Sequence, residues 1–195
     1  YGLSTPLNED DEDNSGEGLD SIFSTNATIC SDIDTVPSPV KGLAVSGFDN
    51  DNIGSWQYKV GSGAWTSFTS GSGDANTTAV LLSESSSNMI RFNPDGSNGG
   101  TPQLTVYCWD QTDSQSDGSI VDISGTLGGV EAYGSSTTTI SVSVGDTNDA
   151  PVAQETNSDV DLNFTAITED DEVNILSSLL AKRAGADTSI TLINN

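Results

Sequence analysis

The side chains of this chain that could do chemistry are carboxylates. Asp146, Asn148 and Asp149 put three oxygen-rich side chains into four residues, between an alternating run over 137–144 and Pro151. A denser cluster, Glu9, Asp10, Asp11, Glu12 and Asp13, stands near the start. Asp32 with Asp34, Asp49 with Asp51, and Asp110 follow along the chain. Oxygen donors at this density suit a hard cation, since calcium takes six to eight oxygens at about 2.3–2.6 Å. The stretch 145–151 therefore has what a calcium-stiffened joint between two β-domains needs: donors delivered directly after a strand, and a proline that stiffens the exit.

Other chemistries fit less well. There is no His among 195 residues, so the commonest acid–base group and metal ligand is absent. Ser and Thr are plentiful but have no imidazole to activate them. Glu9 with Asp10, or Glu131 with an Asp, could form a glycosidase pair, but neither lies in an apolar pattern that would raise a carboxyl pKa. Zinc or a redox metal would have to rest on two Cys and carboxylates. An enzyme is the least favoured class.

The charge balance narrows the partners. Acidic residues number 29 against 5 basic, for a net charge of −24. Neutralising nucleic-acid phosphates or an anionic membrane surface takes Lys and Arg that are scarce here. Such an imbalance repels itself unless counter-ions sit on it. It describes either a soluble, salt-tolerant surface or one partly neutralised by divalent cations. No run of 18 apolar residues that would span a membrane occurs. No signal-peptide pattern is visible, and the chain reads as a mature protein or an excised fragment. Cys30 and Cys108 point to one disulfide in a secreted protein or two buried thiols in a cytosolic one. Glycosylation sequons stand at Asn26, Asn76 and Asn163.

The elements that must position these carboxylates are short strands. Residues 1–14 read as an edge strand, where Pro6 is tolerated, running into an acidic turn. Leu19, Ile22 and Phe23 have the spacing of one helical turn. An apolar strand over 42–47 ends in the turn 48–52. Trp56, Tyr58 and Val60 alternate, and a turn at 61–63 leads to a hairpin partner over 65–68. Strands follow at 80–82, 89–92, 104–108 and 140–144, with a long polar loop over 111–119. About seven short strands with almost no helix argue an all-β, seven-stranded Greek-key sandwich.

The chain then begins again. Residues 4–14 align without a gap with 164–174, so that Thr5, Glu9, Asp10, Asp11, Glu12 and Asn14 coincide with Thr165, Glu169, Asp170, Asp171, Glu172 and Asn174. This is an internal repeat with a period of about 160 residues. It divides the chain into a sandwich over 1–149 and a linker plus an incomplete second copy over 150–195.

Taken in order, the motifs resemble a known family. Leu7-Asn8-Glu9-Asp10-Asp11, Ser31-Asp32-Ile33-Asp34, the run 42–50, Gly54-Ser55-Trp56-Gln57-Tyr58, the run 89–95, the run 107–112 and Asp146-Thr147-Asn148-Asp149-Ala150-Pro151 are similar to the cadherin-like repeats of giant secreted bacterial surface proteins, the RTX-type adhesins. The resemblance implies an extracellular, calcium-stiffened stalk or fibre unit for cell adhesion. Its partners would be neighbouring repeats or copies of itself, and glycans or a host surface. The repeat itself would have no enzymatic activity. The chain departs from the pattern in its two cysteines and its long 111–136 loop.

Alternating strand directions place the first strand's end, with Glu9, Asp10 and Asp11, at the same end of the sandwich as Asp146, Asn148 and Asp149. The same reasoning puts Asp32 and Asp34 there, and puts Asp49, Asp51 and Asp110 at the opposite end. Cadherin linkers resemble this arrangement, with the other half-site supplied by the next domain. Glu169 is the counterpart of Glu9 in the second copy. Cys30 and Cys108 then fall at opposite ends, too far apart to bond within one domain, so either a strand direction differs from this layout or the two are free or pair between neighbouring repeats. Two further functions compete. Trp56, Tyr58, Trp65 and Trp109 could stack sugars in a carbohydrate-binding module, although such aromatics more often fill a core. Residues 152–195 could donate strands to a neighbouring molecule and build a filament.

Overall fold

The computed structural model describes residues 1–31, 41–69 and 78–150. Contacts divide the chain into one unit, Tyr1–Asp149, and a second, Ala150–Asn195, of which only Ala150 is among the described residues.

The described unit is all-β apart from one short helix. Eleven strand segments occur: β1 (Leu7–Asn8), β2 (Glu17–Gly18), β3 (Gly42–Asp49), β4 (Gly54–Lys59), β5 (Thr66–Ser67), β6 (Thr78–Ser83), β7 (Met89–Pro94), β8 (Gln103–Trp109), β9 (Ile120–Asp122), β10 (Thr138–Ser141) and β11 (Val144–Gly145). The helix α1 (Leu19–Thr25) lies between β2 and β3 and buries Leu19, Ile22 and Phe23, the three residues whose spacing predicts it. A five-stranded sheet runs β10-β8-β3-β6-β9 and a four-stranded sheet runs β2-β7-β4-β5. Their inner faces share one core. Leu43, Val45, Val80, Leu82, Leu104, Val106 and Ile140 come from the first sheet, and Trp56, Ile90 and Phe92 from the second. Trp56 and Phe92 meet edge to face at 5.3 Å. The count exceeds seven because β2 and β9 are too short to show alternation, and the closing strand divides into β10 and β11.

β3 is covered on both faces. Leu43 and Val45 enter the main core, while Ala44 joins a second one with Leu81, Tyr107, Trp109, Ile123 and Tyr133. Part of the long 111–136 loop thus folds back to cover the outer face of the five-stranded sheet. The pairing of β3 with β8 shifts between Val45 and Gly47, a β-bulge in which the Ser46 hydroxyl donates to the Thr105 carbonyl.

Strand direction corrects one sequence expectation. β1 pairs in parallel with β11, so both run toward the linker end. β8 is antiparallel to β10 and therefore runs away from it, and β3 is antiparallel to β8. β3 thus descends to the linker end instead of climbing from it, and delivers Asp49 and Asp51 there. The cause is an extra reversal. Asp13 (φ 57°) and Gly16 (φ 70°) turn the chain into β2, which climbs beside β7 and carries α1 and Cys30 to the far end. Gly16 is obligatory, because a Cβ would sit 2.6 Å from the Trp65 ring and 2.7 Å from the Ile90 carbonyl. With Cys30 at the far end, Cys30 and Cys108 bond to each other, their Cα atoms 5.6 Å apart.

Candidate metal centre at the linker end

The site is built where the first and last strands finish together. The Glu9 amide donates to the Gly145 carbonyl at 3.0 Å, extending the parallel pairing by one residue. Glu9 is fully buried, at 0% exposure. Its Oε1 accepts from the Thr147 amide at 2.8 Å and from the Thr147 hydroxyl, whose oxygen is also 3.3 Å from Asp10 Oδ2. These bonds, the Thr147 hydroxyl first and its amide second, hold the Glu9 carboxyl below the usual range against the opposing effect of burial. Glu9 Oε2 is buried with no hydrogen-bond partner. A buried carboxylate oxygen left in this state is costly unless something positive meets it.

Asp51 and Asp146 stand on either side of one turn. Asp146 Oδ1 accepts from the Gly99 amide at 3.3 Å, and Asp51 Oδ2 accepts from the Thr101 amide at 3.0 Å. The turn has no room for side chains: a Cβ on Gly99 would lie 2.7 Å from the Asp146 amide nitrogen, and one on Gly100 would collide with the Asp51 carboxylate.

The other expected residues divide clearly. Asp11 caps its own turn by accepting from the Asn8 amide at 2.7 Å. Asp49 accepts from the Asp51 amide at 2.9 Å, also within a turn. Asn148 donates to the Asp149 carbonyl at 3.1 Å, and Asp149 is exposed. Asp110 lies at the far end and accepts from the amide and hydroxyl of Thr112, so it stands apart from the group. Asp32, Asp34 and Glu169 lie outside the described residues. Among the described residues, no three Asp, Glu, Cys or His side chains are gathered closely enough to hold an ion by themselves.

Thr147, the hinge of the site, was invisible as the variable position of Asp-x-Asn-Asp. At the far end, Asp113 and Asp117 also escaped notice, since nothing marks a loop carboxylate as an acceptor for distant groups. Asp113 accepts from Tyr133 Oη and from Trp109 Nε1, the latter at 3.0 Å. Burial raises the Asp113 pKa, but these donors and the Gln115 amide outweigh it and leave the carboxyl below its ordinary range. Burial and the Asp113 carboxylate push the Tyr133 hydroxyl well up. Asp117 accepts from the Ser83 hydroxyl at 2.7 Å and from Asn88 Nδ2 at 2.8 Å.

The aromatics offer little open stacking surface. Trp56 and Trp109 are 1% and 2% exposed. Tyr58 leans on Phe68, with ring centroids 4.8 Å apart. Trp65 is half-buried, with Arg91 and Lys59 at 4.5 and 5.0 Å from its ring centre.

No family model matches the chain, and no solved structure matches it. A 32-residue stretch is 69% identical to the Trk system potassium uptake protein TrkA of Halomonas elongata. That stretch is 16% of this chain and spans only 7% of the length of that protein. No helix among the described residues is long and apolar enough to cross a membrane.

Proposed function

We propose that Tyr1–Asp149 is a cadherin-like sandwich repeat of an extracellular stalk or fibre, stiffened by calcium where it joins the next domain, and that 150–195 opens a second copy. The observation that carries this reading is the Glu9 carboxylate, which is fully buried, has one oxygen without a partner, and faces the linker. Among the described residues one ion pair is present, Arg91 with Asp13 at 3.3 Å, and it does not involve Glu9.

A hard cation meets both needs. Glu9 Oε2, Asp10, Asp146 and Asp149 supply oxygens from the first and last strands, and the next domain supplies the rest. Asp49 and Asp51 shape the neighbouring turns. Binding offsets repulsion among the carboxylates and restricts the linker, as a spacer requires. The role is structural and non-enzymatic, with neighbouring repeats as the first partners.

Calorimetric titration of the full chain tests this. The expected result is calcium binding with a dissociation constant on the order of 10⁻⁴–10⁻³ M, as in extracellular modules. Glu9→Gln should weaken it at least about tenfold, or roughly 1.4 kcal/mol. Absence of binding heat, or wild-type affinity in the variant, would contradict the reading.

A further inference from the structure

The first strand has a mechanical peculiarity. Residues 1–9 lie beside 139–147 and run in the same direction, with a parallel bridge at Gly2↔Ser141 and parallel pairing at Leu7↔Val144 and Asn8↔Gly145. Main-chain bonds tie them along this length: the Tyr1 amino group donates to the Thr139 carbonyl at 3.2 Å, the Ser141 amide to the Tyr1 carbonyl, and the amides of Leu3, Leu7 and Glu9 to the carbonyls of Ser141, Ser143 and Gly145, the last four between 2.9 and 3.0 Å. On its other side the first strand borders a groove of about 510 Å³ lined by Leu3, Pro6, Leu7, Asn14, Glu17 and Phe92. On that side the bonds come from side chains: the Ser4 amide donates to Glu17 Oε2 at 2.8 Å, and Asn26 Nδ2 donates to the Gly2 carbonyl at 3.2 Å. The last strand is therefore the main backbone partner of the first.

Tension applied through the two ends of the unit pulls the first strand from its beginning and the last strand from its end. Two parallel strands loaded in this way slide past each other, so these bonds carry the load together. Peeling would break them one after another. The Glu9 bonds to Thr147 sit at the linker end of this ladder and close it.

We propose that the paired first and last strands are a shear clamp that lets this unit bear tension, locked at the linker end by Glu9 and Thr147. The disulfide adds a second stage. Once the clamp slips, force passes directly from Cys30 to Cys108, and the 78-residue span between them stays shielded. The purpose of the clamp rests on the stalk reading, but its existence is measured independently of calcium.

The test is single-molecule pulling on the full chain in chelator. One attachment geometry uses the two termini; a second uses the N-terminus and a tag in the far-end turn at 61–63, which peels the first strand. The terminal geometry should need at least about twofold more force, because several bonds rupture together. Thr147→Val should lower the terminal force and leave the first peeling event unchanged. With the disulfide intact, rupture should release roughly 240 Å of chain, against roughly 500 Å for the whole Tyr1–Asp149 unit. Equal forces in the two geometries would overturn the clamp, and release of the full length would overturn the shielding. Loss of the force asymmetry with calcium binding intact removes the clamp alone. Absent calcium binding with the asymmetry intact removes the calcium site and leaves the clamp.

Discussion

Replacing both Cys30 and Cys108 by Ala probes the reversal that changes the layout of the sandwich. The bond joins residues 78 apart in sequence. Its chain-entropy effect on the unfolded state follows from loop length, and for this span it comes to about 4.5 kcal/mol at 25 °C. Domains of this kind are stable by about 5–15 kcal/mol in total, so the bond is a major part of the margin. Each kcal/mol moves the melting temperature of a 150–250-residue protein by about 2–4 °C, which predicts a fall of about 9–18 °C. Differential scanning calorimetry of the oxidised wild type and the double variant at one calcium concentration measures it. Thiol titration of the folded wild type should find no free thiol. Two free thiols, or a melting temperature within about 3 °C of wild type, would refute the placement of Cys30 at the far end and with it the descending course of β3.

Three further outcomes are expected. Because the folded Glu9 pKa is lowered, its contribution is fully present above the ordinary Glu range near 4.5 and is lost as pH falls through the folded value. Acid unfolding below pH 4.5 should therefore be shallower in Glu9→Gln than in wild type, as followed by circular dichroism against pH. Trp56→Ala removes a buried indole packed on Phe92 and should cost about 3–5 kcal/mol in denaturant titration. Asn26 Nδ2 donates to the Ile22 carbonyl at 2.9 Å and the Gly2 carbonyl at 3.2 Å, closing the end of α1. After expression in a glycosylating host, peptide mass spectrometry should thus find Asn26 unmodified.

Much of the fold was legible in the sequence. Alternation at Trp56 and Tyr58, the apolar run before Asp49 and the pattern over 104–108 mark strands because each buries one or both faces. The i, i+3, i+4 set of Leu19, Ile22 and Phe23 marked α1. The convergence of Glu9 with the 146–149 linker was also legible, since it required only that the first and last strands end together. Direction failed at one place. A two-residue strand such as β2 has no period, and positive φ at Asp13 leaves no mark in an acidic run. Missing that one reversal inverted the assignments of Asp49, Asp51 and Cys30. The second core was hidden for a different reason: Ile123, Ala132 and Tyr133 are spaced irregularly in a polar loop, and only the sheet beneath aligns them.

The calcium-stiffened joint is tested most directly by melting the full chain at about 10 mM calcium and again in excess chelator. At about 10–100 times the dissociation constant, a ligand bound only by the native state stabilises it by about 1.4–2.7 kcal/mol. The account predicts a rise of about 3–11 °C in calcium, cut by about half or more in Glu9→Gln. Identical melting temperatures with calcium and with chelator would contradict it.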